Sequence, residues 1–215
     1  MRTRSLGFVA ALVSCLSFAS AANASSVIFS DFGSGNTSNG SYGYTVDPGF
    51  SPAMLFTSSN AAAVSQIDLG LSWFYGINGA TVTLLADNAG ALGASLGSWS
   101  VSSFPQWPSS GNTVTTISGI SGVNLAAGGS YFLQVTQPDS LSDEVWNGNS
   151  TGATGTVFTG GVYGTDSLSA FDVLGSSVAA TPLPSTWLML LSGFVGLGFL
   201  AYRGTKKNTA ALAAA

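Results

Sequence analysis

The sequence has no histidine, few charges and a single cysteine, and each shortage excludes a class of protein. The stretch 25–180 contains no Lys or Arg but holds all nine carboxylates of the chain, so its formal charge is −9. Without cations it cannot neutralise phosphates, and we expect no nucleic-acid partner. The cysteine, Cys15, lies upstream, which excludes disulfides and thiolate metal sites from this stretch. Nucleophilic triads need a His or Lys base, so we predict neither an enzyme nor a cofactor.

The first 24 residues have the parts of a secretory signal peptide. Two arginines precede an apolar run over residues 6–18, and Ala22 and Ala24 then supply the small-x-small pattern that signal peptidase reads. We predict cleavage after Ala24, which makes 1–24 a signal peptide. The competing interpretation is a lipobox that ends at Cys15, which would become a lipidated N-terminus.

Segment 181–207 combines a proline motif, an apolar run and a basic end. The apolar run 187–202 spans about 24 Å as a helix, a short membrane span that flanking residues extend. We predict a transmembrane helix over 187–202 with its basic end in the cytoplasm, followed by a tail over 208–215. The motif consists of Pro182, Leu183, Pro184 and Ser185. The anchoring residues are Trp187, Tyr202, Arg203, Lys206 and Lys207.

Between these segments, short β-rich runs alternate with turn residues. Apolar and polar side chains alternate over 66–74, which predicts a strand. Asn78-Gly79 predicts a hairpin turn into a second strand over 80–86, which 87–90 closes. Residues 25–60 are less regular and read as a loose lead-in. Further strands are predicted at 96–101, 113–117, 131–136, 156–158 and 169–174. We predict that 25–180 is one extracytoplasmic all-β domain, an antiparallel β-sandwich with jelly-roll-like connectivity.

Candidate binding residues in this domain are few. Asp139, Asp143 and Glu144 lie close in sequence and are candidate oxygen ligands for Ca²⁺, although the chain has no EF-hand pattern. The competing interpretation is a set of solvated loop carboxylates, and no motif singles out the carboxylate pair of a glycosidase. Aromatic side chains are typical of sugar sites, so Trp107 and Trp146 are candidate glycan contacts. The alternative for Trp107 is that it covers an edge of the sandwich, and most tryptophans in a small β domain pack in the core.

The C-terminal segment resembles the PEP-CTERM sorting signal of Gram-negative bacteria that make exopolysaccharide. Pro182 and Pro184 match the two prolines of that signal, and Leu183 stands where its commonest form has Glu. Members of the family are substrates of exosortase, a membrane-embedded peptidase thought to cut near the motif. The resemblance implies export through the inner membrane, transient or stable anchoring, and a final place at the cell surface or in the secreted matrix.

The domain also resembles a choice-of-anchor type domain over roughly residues 50–175. This resemblance implies a β-rich extracellular module and no reaction. The segments that carry it are 68–74, 81–84, 87–90, 97–99, 125–132 and 170–173.

The combined prediction is an exported, exosortase-sorted surface or exopolysaccharide-matrix protein with a non-catalytic β-sandwich. The expected partners are exosortase, the membrane through the C-terminal helix, and extracellular polysaccharide. The alternatives are a carbohydrate-binding module, a glycan-active enzyme and a permanently anchored single-pass membrane protein.

Overall fold

The computed structural model describes residues 25–108 and 114–177, together with residues 190, 192–195 and 197, which are helical and exposed. Among these residues there is no helix of the length and apolar character that crossing a membrane requires. The predicted signal peptide with its cleavage site, the sorting motif 182–185, Trp187 and the segment 202–215 lie outside the described residues.

The described residues form fourteen strands, and every hydrogen-bonded pair of neighbouring strands is antiparallel. The all-β antiparallel prediction is therefore confirmed. The first seven strands are β1 (Ser25–Ser30), β2 (Ser38–Val46), β3 (Ala53–Thr57), β4 (Ala62–Leu69), β5 (Leu71–Tyr75), β6 (Gly79–Asn88) and β7 (Ala91–Ser102). The other seven are β8 (Thr115–Ser118), β9 (Asn124–Leu125), β10 (Ser130–Thr136), β11 (Asp143–Asn149), β12 (Thr154–Thr159), β13 (Val162–Ser167) and β14 (Phe171–Ser177).

The strands form three sheets around one main core. A five-stranded sheet has the order β1-β14-β4-β8, with β9 also paired to β4. A six-stranded sheet has the order β13-β12-β3-β10-β6-β7, and a three-stranded sheet has the order β2-β11-β5. Side chains from all three sheets meet in the core, which gives a sandwich-like arrangement. Fully buried examples are Ile67, Val173, Met54, Leu84, Leu71 and Trp146, and burial of such a side chain contributes roughly 1.5–3 kcal/mol.

The predicted strand over 66–74 is two strands in different sheets. Gly70 separates β4 from β5 and passes the chain from the five-stranded sheet to the three-stranded one. The Gly70 amide donates to the Ala170 carbonyl at 3.0 Å, and its carbonyl accepts from the Asn147 amide at 2.8 Å. The apolar alternation stays in phase across Gly70, so the period of two could not reveal the change of sheet.

The hairpin predicted at Asn78-Gly79 is also wrong. β5 pairs with β11, whereas β6 pairs with β10 and β7, so β5 and β6 are not neighbours. The Asn78 side chain instead makes two hydrogen bonds with the backbone of Phe104. Its amide nitrogen donates to the Phe104 carbonyl at 2.8 Å, and its amide oxygen accepts from the Phe104 amide at 2.7 Å. Asn78 thus fixes the loop that follows β7.

Residues 25–60 are not a loose lead-in, because they contain three strands. β1 pairs with the late strand β14, and β3 lies inside the six-stranded sheet between β12 and β10. Ala53, Met54 and Phe56 of β3 are buried in the core. The many Gly, Ser and Asn residues around β3 hide this short apolar strand from a reading by composition.

Candidate functional site

A cavity of about 320 Å³ lies on the three-stranded sheet, and we name it the aromatic groove. Its lining residues are Ser41, Tyr42, Gly43, Thr45, Phe74, Trp107, Asp143 and Val145. Val145 and Thr45 are register partners on β11 and β2. They alternate with Trp146 and Tyr44, and the Trp146 side chain points into the core. Since neighbouring strand residues point to opposite faces, the groove occupies the face turned away from the core.

A bulge in β2 places Tyr42 over the groove. Asn147 of β11 pairs with Gly43, but the next residue, Gly148, pairs with Asn39, so residues 40–42 have no partner on β11. Such an insertion bends the strand and redirects its side chains. Tyr42 remains 44% exposed as a result.

Two glycines allow the strands to approach each other beside this bulge. A Cβ atom on Gly148 would lie 2.5 Å from Cδ1 of Tyr42, so the Tyr42 ring occupies the space that a side chain would fill. A Cβ atom on Gly43 would meet the Trp146 carbonyl oxygen and lie 2.9 Å from Cα of Asn147. The position of Gly43 therefore requires glycine for steric reasons, whereas a side chain in place of Gly148 would displace the Tyr42 ring.

Trp107 reaches the groove on a loop that runs beside β5. The Trp73 amide donates to the Pro105 carbonyl, and the Trp107 amide donates to the Trp73 carbonyl, both at 2.8 Å. The Trp107 ring meets Phe74 edge to face, with centroids 5.9 Å apart and an interplanar angle of 69°. These backbone bonds hold the half-buried Trp107 ring in a fixed place relative to the sheet.

Asp143 supplies the carboxylate of the groove. Its Oδ1 atom is out of contact with solvent and has no hydrogen-bond partner among the described residues. Burial raises the pKa of Asp143, and the negative charge of Asp47 raises it further. The indole Nε1 of Trp107 is likewise buried without a partner in the described part of the chain. An unpaired donor and an unpaired acceptor therefore lie at the same cavity, at a cost of about 1–3 kcal/mol each.

A second cavity of about 300 Å³ adjoins the groove along β2. The two cavities share Gly43 and Thr45, and the second adds Tyr44, Asp47, Phe50 and Thr159. Asp47 holds the turn there, since its Oδ1 atom accepts from the Gly49 amide at 3.0 Å. The carboxylates that line the two cavities, Asp143 and Asp47, lie near enough for their charges to interact.

The structure separates the two tryptophans proposed as glycan contacts. Trp107 lines the groove, which is the position that a contact with a bound glycan requires. Trp146 does not, because it is 0% exposed and its indole nitrogen donates to the Ala170 carbonyl at 3.0 Å. Its ring also packs against Phe171 at 5.7 Å. The prediction for Trp146 is therefore wrong, since a core residue cannot touch a surface ligand.

The three carboxylates proposed as Ca²⁺ ligands have different surroundings. Asp139 Oδ1 accepts from the Ser142 hydroxyl at 2.7 Å and the Leu141 amide at 2.9 Å, and these bonds lower the pKa of Asp139. Asp143 lines the groove, whereas Glu144 is 0% exposed. Over residues 25–108 and 114–177 no three acidic, His or Cys side chains form a group that could hold a metal ion. The three carboxylates proposed as Ca²⁺ ligands are therefore not brought together as one group in the described residues.

Sequence reasoning missed Tyr42 and Phe74 as groove residues. The alternation over 66–74 predicts a strand that contains Phe74 but indicates no binding role for it. Tyr42 lies in the segment 25–60, which the sequence predicts to be a loose lead-in. The Tyr42-Gly43-Tyr44 pattern was the available signal, because aromatic residues around a glycine are unusual in a loose linker. Its meaning depends on the bulge opposite Gly148, which a single sequence does not reveal.

Comparison of the chain with protein-family models and with curated proteins gives no match.

Proposed function

We propose that the chain is an exported protein of the cell surface or exopolysaccharide matrix, that an exosortase processes it, and that its non-catalytic β domain binds glycan. The export and processing parts rest on the terminal segments of the sequence. The glycan part rests on one observation, the aromatic groove with its unpaired carboxylate. We also propose jelly-roll-like connectivity for the β domain, because jelly rolls occur among lectin domains.

The chemistry of the groove suits a sugar. Tyr42 and Phe74 are each 44% exposed, and Trp107 lies against Phe74. Aromatic faces give a sugar ring a flat apolar surface, while a few polar groups fix its orientation. The polar groups here are the hydroxyls of Ser41 and Thr45 and the Asp143 carboxylate.

The groove favours binding over glycan cleavage. Glycosidases place two carboxyl groups about 5–9.5 Å apart, on either side of the scissile bond. Asp143 is the one carboxylate among the residues that line the groove, the nearby Asp47 lines the adjoining cavity, and Glu144 lies in the core, so no two carboxyl groups line the groove together. The support is therefore for a lectin-like role.

The processing part is tested by the intact mass of the protein from its host, with and without exosortase. We expect a chain that begins at Ser25 and ends near residues 182–185 only when the enzyme is present. A Pro184→Ala variant in the wild-type strain should retain the C-terminal segment. A tail that persists to Ala215 in both strains would favour the permanently anchored single-pass protein.

The glycan part is tested by affinity electrophoresis in gels that contain the polysaccharide of the host. We expect retarded migration, and we expect Tyr42→Ala to abolish the retardation. Tyr163→Ala is the control, because Tyr163 has a similar exposure of 43% but lies on β13 and is not among the residues that line the groove. Thermal unfolding checks that this variant folds, since the Tyr163 ring packs on Phe132 and Phe158. Unchanged migration of the wild-type protein across a broad panel of polysaccharides would refute glycan binding.

A further inference from the structure

The charge around the aromatic groove is of one sign. Asp143 lines the groove and Asp47 lines the adjoining cavity, and the charge of Asp47 acts on Asp143. The stretch 25–180 contains no Lys, Arg or His to compensate them. An anionic ligand would therefore meet only repulsion, whereas a cationic ligand would relieve the repulsion between the two carboxylates.

The groove also offers two kinds of partner for a cation. Asp143 Oδ1 is buried and accepts no hydrogen bond from the described residues, so the carboxylate that lines the groove has an unused capacity to accept one from an ammonium donor. Tyr42, Phe74 and Trp107 present aromatic rings, and the faces of such rings attract cations. Carboxylate and aromatic rings in one cavity are the usual elements of an ammonium site.

The remaining lining residues distinguish an amino sugar from a lysine side chain. Ser41 and Thr45 offer hydroxyl groups that match the hydroxyls of a pyranose ring. A lysine side chain brings no hydroxyl group, and fixing its flexible stem costs up to about 2 kcal/mol of conformational entropy. A rigid ring with an amine and several hydroxyls uses more of what the groove provides.

We propose that the aromatic groove binds a hexosamine unit with a free amine, with the ammonium group on Asp143 and the sugar ring against the aromatic side chains. This proposal rests on the glycan-binding function proposed above and specifies its ligand class. In a polysaccharide matrix, the protein would then mark the deacetylated stretches of a polymer of amino sugars.

Isothermal titration of the mature protein from its host tests this assignment. The ligands are a glucosamine tetramer, the fully N-acetylated tetramer and a tetralysine peptide, at a pH below the pKa of the sugar amine, which the neighbouring ring oxygens hold well below that of lysine. We expect the glucosamine tetramer to bind at least about tenfold more tightly than the other two, and we expect added salt to weaken it. Asp143→Asn should remove the preference for the free amine.

Asp87→Asn is the matched control for Asp143→Asn. Asp87 carries the same charge but lies near the end of β6, where its Oδ1 accepts from the Gly90 amide. An asparagine retains an acceptor at either position, so both variants are expected to fold, and circular dichroism checks this. The control should bind the glucosamine tetramer as the wild type does.

The other outcomes separate failure of the ligand assignment from failure of glycan binding. Equal binding of both tetramers, unaffected by Asp143→Asn, would overturn the amino-sugar proposal while glycan binding stands. Equal or tighter binding of tetralysine, lost in Asp143→Asn, would make the groove a site for basic peptides. Absence of binding to every glycan, the host polysaccharide included, would overturn both proposals.

Discussion

Glu144 is the most unfavourably placed side chain of the domain. It lies at 0% exposure on β11, where it pairs with Val46 and Trp73. Neither carboxyl oxygen makes a well-formed hydrogen bond to the described residues, and the Gly79 amide only partly offsets the effect of burial on the pKa of Glu144. Burial raises the pKa of Glu144 to about 7, and the charges of Asp143 and Asp139 contribute. A buried carboxyl without a cation partner is most stable when it is protonated.

Glu144→Gln should therefore stabilise the protein in alkaline solution. The wild type must keep a charge in the core above the folded pKa of about 7, whereas glutamine has no charge at any pH. We expect a gain of about 3 kcal/mol in the free energy of unfolding near pH 9 and little change near pH 4.5. Urea denaturation at both pH values measures it. A variant less stable than the wild type at both would mean that the carboxylate makes a stabilising contact.

Gly148→Ala tests how the Tyr42 ring is held. The new Cβ atom would lie 2.5 Å from Tyr42 Cδ1, so the ring must leave its present place over the groove. Because Tyr42 is on the surface, we expect a loss of at least about tenfold in glycan affinity with a change of about 1–2 kcal/mol in stability. Titration and thermal unfolding measure the two effects. Unchanged affinity would show that the ring position does not matter for binding.

At the level of elements, the pairing of β2 with β11 depends on Gly43. A side chain there would meet the backbone of Trp146 and Asn147, which cannot move aside as a flexible side chain can. We expect Gly43→Ala to destabilise the protein by about 2–3 kcal/mol in urea denaturation. Gly164→Ala on β13 is the matched control, since no atom lies within 4 Å of its added Cβ. Equal stability of both variants would contradict the close approach of β2 to β11.

The sequence predicts local elements well where a turn has its own chemistry. Residues 87–90, predicted to close a strand, are the last two residues of β6 and the turn to β7, with positive φ angles of 53° at Ala89 and 88° at Gly90. By contrast, the change of sheet at Gly70 and the pairing of β1 with β14 depend on contacts between distant segments. Periodicity reports which face of a strand is apolar, and it does not report which strand lies beside it.

In the candidate site, too, local signals could be read from the sequence, whereas features that depend on contacts between distant segments could not. Trp107 was predictable because its prolines mark a loop with aromatic character, whereas the acidic cluster suggested Asp143 as a Ca²⁺ ligand and not as the carboxylate of the groove. The failure at Trp146 has a physical reason, since β11 lies between two strands and one of its faces is fully covered by the core. Glu144 failed as a surface ligand for the same reason.

At the scale of the whole molecule, the carboxylates of the domain have no cationic side chain with which to form ion pairs. The stretch 25–180 has a formal charge of −9 and no cation, so burial of a carboxyl is not offset by an ion pair. Asp31 illustrates this: burial raises its pKa to about 7, although the Phe171 amide donates to its Oδ1 atom at 2.7 Å. Burial also raises the pKa of Asp172, which pairs with Asp68 across β14 and β4.

We therefore expect the domain to become more stable as the pH falls from about 7.5 to about 4.5, the reverse of ordinary acid denaturation. Asp31 and Glu144 have folded pKa values of about 7, above the ordinary values of 3.8 and 4.5. Between these limits the folded state binds more protons than the unfolded chain, so stability decreases as the pH rises. The Asp31 shift alone corresponds to about 4 kcal/mol.

Thermal unfolding of the mature protein across this range measures the effect, and Asp31→Asn identifies its source. Asparagine keeps an acceptor for the Phe171 amide but carries no charge, so the variant should have a shallower pH dependence and exceed the wild type in stability near pH 7.5. Added salt separates this effect from general repulsion, because salt screens the surface carboxylates and leaves a buried one almost unscreened. If the pH dependence vanished in about 1 M salt, repulsion over the surface rather than burial of Asp31 and Glu144 would be its cause.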